Sequence, residues 1–323
     1  MSSKLFIPLS EHKKEVFDSI KLIEVEEKFD LYFSRFFGLY FAKIGERLNA
    51  TPTQVSLASL VIGMIGGALL FFQEEWPIIL VGSFFITLAG VLDSADGQLA
   101  RRTGQSTPLG KIIDGAIDNA VFFACYFGAC LYYLVGDIGW VIVPIGLVTG
   151  FGAHSFTSNI YEFYKSEFLY FVGNKTDEKA TTVDEVKIKV ENSQGWSKYL
   201  YHLLLDYTKK RQFFTYRKGK VAEKFEESFT DPKYGSTFSA MYKEQMTNTL
   251  FWWAWIGGTN VHRTLMMGFS LIGRFDLYII TVLLKFIPFL VLIWYQKKKD
   301  QKLLAEFEQL TRDAVVSGTI HSR

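Results

Sequence analysis

The sequence predicts an all-α, polytopic membrane protein with six transmembrane helices, an N-terminal interfacial amphipathic helix and a cytoplasmic helical insertion between helices 4 and 5. Three observations predict this class. Hydrophobic residues make up 49% and aromatic residues 16% of the 323 residues, and the mean hydropathy is +0.14. Six apolar runs are long enough to cross a hydrocarbon core of roughly 30 Å. Between the fourth and fifth runs the hydropathy falls, over residues 166–245.

Composition limits the other possibilities. The formal net charge of +2 offers no strongly basic face, so no nucleic-acid partner is expected. The two cysteines, Cys125 and Cys130, lie five positions apart in an apolar run and are expected to be buried small hydrophobes. Residues 1–21 lack the continuous apolar core of a cleaved signal peptide.

The chain begins with a polar segment that leads to the first span. Residues 31–48 mix aromatic and charged side chains, which is typical of a helix in the headgroup region. An ordinary amphipathic helix packed on protein is the alternative. Thr51 as N-cap and Pro52 at the first helical position then begin the first transmembrane helix.

The six predicted spans follow the apolar runs. They lie at residues 55–73, 76–92, 110–135, 139–161, 247–272 and 277–295. These spans divide the chain into a cytoplasmic N-terminal segment with the juxtamembrane helix (1–50), helices 1–4 (51–165), the insertion (166–245), helices 5–6 (246–296) and a cytoplasmic tail (297–323).

The basic residues set the predicted orientation. The Arg101-Arg102 turn, the lysine-rich insertion and the Lys297-Lys298-Lys299 run lie on one side, and the acidic or neutral links QEEW and VGDIG lie on the other. The positive-inside rule therefore places both termini and the insertion in the cytoplasm.

Four aspartates lie where the second and third spans meet. Asp93 and Asp96 are three positions apart and Asp114 and Asp118 are four apart, so each pair shares one face of its helix. Four unpaired anions in a low dielectric are too costly to maintain, and ligands that are all oxygen select Mg²⁺ or Mn²⁺. The cluster therefore predicts a cation site. Because intramembrane carboxylates also mark transporters, a divalent-cation transporter is an alternative from a different functional class.

The order of residues around the aspartates resembles the signature of the CDP-alcohol phosphotransferase family, class I. The pattern DxxDGxxAR, eight residues, then GxxxDxxxD has every fixed position filled, by Asp93, Asp96, Gly97, Ala100, Arg101, Gly110, Asp114 and Asp118. The string ARRTGQSTPLG is also similar to the choline and ethanolamine phosphotransferase branch of the family. The resemblance implies a metal-dependent transferase of phospholipid synthesis, and commonly a homodimer.

The resemblance also implies a role for each motif residue. Asp93, Asp96 and Asp114 would be the principal metal ligands. Asp118 would take the proton from the attacking hydroxyl and also touch a metal. The implied nucleotide-binding residues are Thr53, Ser56, Asp96, Gly97, Ala100, Arg101, Thr107 and Gly110.

Three of these nucleotide-binding residues have structural alternatives. Thr53 and Ser56 match the family's PNxxT-like entry to the first span, although a threonine replaces the usual asparagine, and a plain N-cap box explains the same residues. Thr107 is equally well explained as a helix cap.

Basic residues in the fifth span predict the acceptor site. Placing Arg263 and His262 in hydrocarbon costs considerable free energy unless their side chains face a polar cavity. The resemblance implies that such residues grip the phosphate of an inositol phosphate or glycerol phosphate acceptor, with Asn260 nearby. Snorkelling or hydrogen bonding between helices is the alternative.

These observations together predict an integral membrane enzyme whose active site faces the cytoplasm. It would transfer a phosphatidyl group from CDP-diacylglycerol to a small polar alcohol, with inositol phosphate or a similar polyol favoured, and release CMP. The alternative within the family is transfer of phosphocholine or phosphoethanolamine from a CDP-aminoalcohol to a lipid alcohol.

Overall fold

The structure is a computed structural model that describes residues 9–20, 22–27, 29–135 and 139–321, and every regular element within these ranges is helical. In chain order the α-helices are α1 Leu9–Asp18, α2 Arg35–Arg47, α3 Pro52–Leu69, α4 Trp76–Thr103, α5 Pro108–Leu134, α6 Gly139–Leu147, α7 Ser155–Phe171, α8 Val183–Glu191, α9 Gly195–Phe214, α10 Lys220–Thr230, α11 Gly235–Gly257, α12 Thr259–Leu271 and α13 Phe275–His321. Residues 148–154 form a π-helical turn that joins α6 to α7, and another at residues 30–34 precedes α2.

Five helices in the described part of the chain are long and apolar enough to cross a membrane. They are Pro52–Leu69, Trp76–Thr103, Leu109–Leu134, Gly139–Phe171 and Phe275–Ala314. The all-helical membrane class that the sequence predicts is therefore confirmed at this level.

The predicted fifth span does not form one continuous helix, which corrects the sequence expectation. Residues 247–272 are divided between α11 and α12, and the break lies at Gly258, whose φ of −64° and ψ of 132° are extended. A glycine pair, Gly257-Gly258, makes this break inexpensive. Because neither helix is among the five candidates, the count of six stays a prediction.

The chain divides into two compact units, and each is described by itself. Unit 1 comprises Met1–Ser158 and Gly258–Phe286, and unit 2 comprises Asn159–Gly257 and Ile287–Arg323. Every site residue predicted from the sequence lies in unit 1. The predicted segment boundaries after residues 165, 245 and 296 fall inside α7, α11 and α13.

Glycines allow α3, α4 and α5 of unit 1 to pack closely. A Cβ added at Gly66 would lie 2.8 Å from the carbonyl oxygen of Gly82 on α4. A Cβ added at Gly67 would lie 2.7 Å from the backbone of Ala124 and Cys125 on α5. Such small residues are the usual means of close approach between membrane helices, and here they bring α4 and α5 against neighbouring faces of α3.

The juxtamembrane helix packs against α4. A Cβ at Gly38 would lie 3.2 Å from the backbone of α4, and Ala42 forms a small buried cluster with Ala95 and Leu99. The remaining apolar residues of α2 include exposed side chains, among them Phe37. One face of the helix is thus protein-packed, and its position in the headgroup region stays a prediction.

Contacts within unit 1 fix where α13 begins. The Cβ position of Gly273 lies 3.1 Å from the carbonyl oxygen of Gln73, just after α3. The backbone N–H of Asp276 donates to the hydroxyl of Tyr133, near the end of α5, at 3.0 Å. The start of α13 therefore lies at the end of the unit where α3 and α5 finish.

Unit 2 contains helices α8 to α11 and has a buried ion cluster at its centre. Arg217 donates to Asp300 at 3.1 Å, and its Nε lies 3.2 Å from a carboxylate oxygen of Glu167. Its guanidinium also stacks over the ring of Phe225 at 3.1 Å. Removing one partner of such a buried group costs about 3–5 kcal/mol, so the cluster ties α7 and α13 to the link before α10.

Candidate active site

Three of the four aspartates meet in unit 1. Asp93, Asp96 and Asp114 each place a carboxylate oxygen so that all three oxygens lie within 4.8 Å of one another. Asp93 and Asp96 come from one face of α4, where they are three residues apart, and Asp114 comes from the second turn of α5. The chain reverses at Gly104, which follows the last residue of α4 and has a φ of 67°. α5 therefore returns from the same end of α4, and its Asp114 lies beside the two aspartates of α4.

The donor set fits a hard divalent cation. Two unit charges at the observed limit of 4.8 Å repel by about 3 kcal/mol at an effective dielectric near 20. Asp96 is only 5% exposed, so bulk water screens it poorly. Three carboxylates with oxygen donors only are the ligands that Mg²⁺ or Mn²⁺ prefers.

Asp118 lies one turn beyond Asp114 on α5. It is half-buried and near enough to Asp96 to interact with it electrostatically. It does not belong to the set of three whose oxygens are mutually close. Its predicted roles as a fourth ligand and as the proton acceptor therefore both stay predictions.

Ser56 supports the cluster from α3. Its hydroxyl donates to Oδ2 of Asp96 and is also 3.1 Å from the carbonyl oxygen of Pro52. The side chain is buried, at 6% exposed. Ser56 thus orients a carboxylate of the site. Thr53, by contrast, is exposed on the first turn of α3, where Thr51 and Gln54 form a capping box.

Arg263 brings positive charge to the aspartates. Its guanidinium covers Gly90 so closely that a Cβ at that position would overlap it. Gly90 and Asp93 are three residues apart on one face of α4, and Arg263 interacts electrostatically with Asp93. Arg263 also lies 3.4 Å from the side-chain oxygen of Asn260. The predicted acceptor residues Asn260 and Arg263 are therefore brought to the aspartate site.

His262 takes part in a different set of contacts. Its ring stacks on His154 with centroids 4.0 Å apart, and its Nδ1 lies 3.3 Å from the hydroxyl of Tyr278. That hydroxyl is 3.2 Å from the hydroxyl of Tyr126. The ring is thus packed among aromatic side chains of α5, the turn before α7 and α13, and its predicted contact with an acceptor stays a prediction.

The remaining motif residues lie around the turn between α4 and α5. Arg101 is exposed, and its guanidinium lies 3.4 Å from the Cβ position of Gly97. Ala100 precedes it on the last turns of α4. Thr107 is the N-cap of α5, where its hydroxyl accepts from the backbone N–H of Gly110 at 3.0 Å. The cap interpretation of Thr107 is therefore confirmed, and its nucleotide contact stays a prediction.

The structure adds one acidic residue that the sequence did not indicate. Asp30, in the π-helical turn before α2, interacts electrostatically with Asp93. The two residues are far apart in the chain, and no motif joins them. Only the packing of α2 against α4 brings this carboxylate toward the site.

Comparison with known proteins gives the family that the motif resembles. Residues 49–180 match the family described as CDP-alcohol phosphatidyltransferase. The chain is similar to ethanolaminephosphotransferase 1 of Pongo abelii, with 33% identity over 98 residues, which are 30% of this chain and 24% of that protein. It is similar to phosphatidylinositol phosphate synthase of Streptomyces avermitilis, with 29% identity over 110 residues, which are 33% of this chain and 43% of that protein.

A further relative is the bifunctional IPC transferase and DIPP synthase of Aquifex aeolicus. It is 24% identical over 176 residues, which are 51% of this chain and 38% of that protein. The matches therefore span less than half the length of each of these relatives. The family resemblance drawn from the aspartate motif is confirmed, since all eight motif positions lie within the matched segment.

Proposed function

We propose, from the match of residues 49–180 to the CDP-alcohol phosphatidyltransferase family, that this protein is a metal-dependent CDP-alcohol phosphotransferase. It would transfer a phosphatidyl group from CDP-diacylglycerol to an alcohol and release CMP. The observation that carries the proposal is the meeting of Asp93, Asp96 and Asp114 within 4.8 Å, at the motif positions of the family.

The aspartates would hold one or two Mg²⁺ or Mn²⁺ ions. When bound, these ions supply charge neutralisation at the pyrophosphate and at the departing CMP. Asp93, Asp96 and Asp114 would be the ligands, and Ser56 would keep Asp96 in position through its hydrogen bond. Arg101 would add a fork of donors for a phosphate, and the missing side chain at Gly97 would leave room for the nucleotide.

The chemical step needs a base and a positioned hydroxyl. Asp118 would take the proton from the acceptor hydroxyl, whose oxygen attacks the phosphorus on the lipid side of the pyrophosphate. The bond from that phosphorus to the CMP oxygen breaks, and CMP departs with the electron pair. Arg263, held at Gly90 beside Asp93, would bind an anionic group of the acceptor and so direct its hydroxyl to the site.

The position of Arg263 favours a phosphorylated polyol as acceptor. Arg263 is buried beside Asp93 and donates to Asn260, and its planar fork of donors would also suit a phosphate. Among the similar proteins is a phosphatidylinositol phosphate synthase. Inositol phosphate or a similar polyol phosphate is therefore the proposed acceptor.

In a second candidate function the acceptor is the lipid and the CDP-linked donor is the small polar molecule. The chain is also similar to ethanolaminephosphotransferase 1. The string ARRTGQSTPLG of this chain lies at the turn between α4 and α5, beside the aspartates. In that case a CDP-aminoalcohol would donate phosphoethanolamine or phosphocholine to a lipid alcohol. Arg263 would then hold the donor in position or neutralise Asp93.

The membrane arrangement belongs to the same proposal. Six spans would place the aspartate site, the insertion and both termini on the cytoplasmic side, where soluble nucleotides are present. The protein would act as a homodimer in the bilayer. Its partners would be the CDP-linked lipid donor and the small alcohol.

Release of CMP from purified protein in mixed micelles tests the function. Each CDP donor is combined with each acceptor, with Mg²⁺ and with EDTA, and the lipid product is identified by mass spectrometry. The proposal expects metal-dependent CMP release from CDP-diacylglycerol with a polyol phosphate. Asp184→Asn, on the surface of α8, serves as a matched control that keeps activity. CMP release only from a CDP-aminoalcohol supports the second candidate, and no CMP from any pair favours a cation transporter.

A further inference from the structure

Unit 2 contains a groove that the proposed reaction does not use. It has a volume of about 330 Å³, which lies at the lower end of the roughly 300–1,000 Å³ typical of small-molecule sites. Its lining comes from one stripe of α11 and one stripe of α13: Asn248, Thr249, Trp252 and Ile256, and Pro288, Val291, Leu292, Trp294, Tyr295 and Lys299.

The groove is polar at one end and apolar along the rest of its length. At the polar end the ammonium of Lys299 donates to the hydroxyl of Thr249 at 3.0 Å and to the carbonyl oxygen of Gln245. The apolar end reaches Ile256 and Pro288. Lys299 lies eleven positions after Pro288 on α13, which is about 16 Å at a helical rise of 1.5 Å per residue.

Lys299 lines the polar end and follows two further lysines on α13, and each of the three lies over an aromatic ring. Lys297 lies 5.4 Å from the ring centre of Tyr216, Lys298 lies 5.8 Å from that of Trp294, and Lys299 lies 5.3 Å from that of Tyr295. An ammonium held over a ring is partly fixed in position while it stays open to solvent. The lysines thus present a localised positive charge where the apolar part of α13 ends.

The apolar surface around the groove is exposed on both helices. Trp252 is 54% exposed, Val291 is 60% and Trp294 is 60%. The stretch belongs to a helix that is apolar enough to cross a membrane, so hydrocarbon rather than water would cover it. Tryptophan and tyrosine beside lysines are typical of the level where lipid headgroups meet the acyl region.

We propose that this groove binds one anionic phospholipid. The headgroup phosphate would lie against Lys298 and Lys299, and an acyl chain would follow the groove past Trp252 and Val291 toward Pro288. Charge complementarity favours this occupant, because a cluster of lysines at the end of a span attracts anionic lipid headgroups. A second copy docked through the same surface would place the two lysine runs against each other, which is unfavourable.

A lipid-binding measurement tests the proposal independently of the enzymatic reaction. The purified full chain is titrated with phosphatidylglycerol or phosphatidylcholine, and bound lipid is counted by native mass spectrometry. We expect one phosphatidylglycerol retained per chain at least tenfold more tightly than phosphatidylcholine. Equal retention of the two lipids overturns the proposal. Since the readout is binding, its failure is distinct from a failure to release CMP.

Paired variants locate the site. Lys298→Gln and Lys299→Gln should each weaken retention of phosphatidylglycerol several-fold, whereas Lys302→Gln, an exposed lysine outside the groove, should leave it unchanged. Thermal unfolding of each variant tests for a folding defect. Lys299 also donates to Thr249 on α11, so its replacement can disturb helix packing, and Lys298→Gln removes a positive charge without breaking that hydrogen bond. Equal retention by all three lysine variants contradicts the proposal.

Two tryptophan substitutions, one inside the groove and one outside it, test the apolar part of the groove. Val291→Trp should fill it and lower retention, and Leu290→Trp, on the neighbouring exposed face, should not. A change from dimer to monomer in Val291→Trp with unchanged lipid retention would overturn the lipid assignment and make the groove an interface between two copies.

Discussion

At the scale of single residues, the proposed cation site rests on the carboxylates of Asp93, Asp96 and Asp114, whose oxygens lie within 4.8 Å of one another. The sequence predicted their meeting from spacing alone, because positions three or four apart on a helix share a face. It did not predict that Ser56 would donate to Asp96, since the two residues are 40 positions apart and only the packing of α3 on α4 joins them. Asp30 was missed for the same reason.

Asp114→Asn should have opposite effects on stability with and without metal. Removing one of three mutually repelling carboxylates should raise the unfolding temperature in EDTA, by roughly 2–4 °C for each kcal/mol of repulsion relieved. The stabilisation that Mg²⁺ gives the unmodified chain should be lost, because binding to the native state alone stabilises by mass action. CMP release should fall about 10²-fold or more. Thermal scans with Mg²⁺ and with EDTA measure the first two effects.

The control for this experiment is Asp184→Asn, whose carboxylate is 85% exposed on α8. It should change neither the unfolding temperature in EDTA nor the response to Mg²⁺. If Asp114→Asn retains the Mg²⁺ stabilisation, the three aspartates are not the cation site.

Ser56→Ala should weaken metal binding and leave the fold intact. The lost hydroxyl frees Asp96 to rotate, and loss of a group that orients a ligand typically costs 10–100-fold in metal affinity. The concentration of Mg²⁺ that gives half-maximal CMP release should therefore rise about tenfold. Ser59→Ala is the matched control, because this buried hydroxyl donates to the carbonyl oxygen of Ala89 rather than to an aspartate. Equal Mg²⁺ requirements in the two variants would remove Ser56 from the site.

Arg263→Ala should raise the apparent Michaelis constant for the acceptor and spare that for the CDP donor. The guanidinium lies beside Asp93, so its loss would remove the partner of an anionic acceptor. A charge-assisted contact of this kind is worth about 1.5–3 kcal/mol, which corresponds to about 10–100-fold in the acceptor constant. A Mg²⁺ titration checks that the metal site is unaffected. Unchanged acceptor kinetics would show that Arg263 only neutralises the aspartates.

At the scale of elements, the contact between α4 and α12 positions Arg263 and Asn260, the proposed acceptor residues. The sequence predicted one span over residues 247–272, because hydropathy does not reveal a helix that stops and restarts at Gly258. The break makes Asn260 and Arg263 first-turn and second-turn residues of a new helix, α12. The sequence predicted that Arg263 faces a polar cavity, but it did not predict that its guanidinium would lie against Gly90 of α4.

Gly90→Ala tests this contact from the side of α4. The new methyl group would overlap the guanidinium of Arg263, so the arginine must move. We expect the acceptor constant to rise as in Arg263→Ala, with the CDP-donor constant little changed. Gly268→Ala on α12 is the matched control, since its Cβ would meet nothing within 4 Å, and it should leave both constants unchanged. If Gly90→Ala has normal acceptor kinetics, the arginine has no role in acceptor binding.

At the scale of the whole molecule, the number of crossings decides on which side each segment lies. The sequence predicted the helices of unit 1 well, because long apolar runs with capping signals such as Thr51-Pro52 have few other solutions. The division into two units was not predictable, since it falls within α7 and α13 rather than at a polar linker. Hydropathy marks what enters a bilayer but carries no information about which helices pack together.

The parity of the crossings makes the sixth span testable. Chain order places Lys187 of α8 after the fourth candidate span and Lys302 of α13 after the apolar part of the fifth candidate. If α11 and α12 together cross the membrane, Lys187 and Lys302 lie on one side; if they do not, the two lie on opposite sides. The start of α13 lies beside Gln73, at the end of α3, which favours a crossing.

Labelling of single cysteines from one side of sealed vesicles measures this parity. Lys187→Cys, Lys302→Cys and Gln105→Cys should react together with an impermeant maleimide, and Glu75→Cys in the link before α4 should react only from the opposite side. Cys125 and Cys130 are buried, so their background reaction should be low. Because Gln105 lies in the turn that carries the aspartate motif, its side is also the side of the active site. If Lys302→Cys reacts from the same side of the vesicles as Glu75→Cys, the number of crossings is odd, which contradicts six spans.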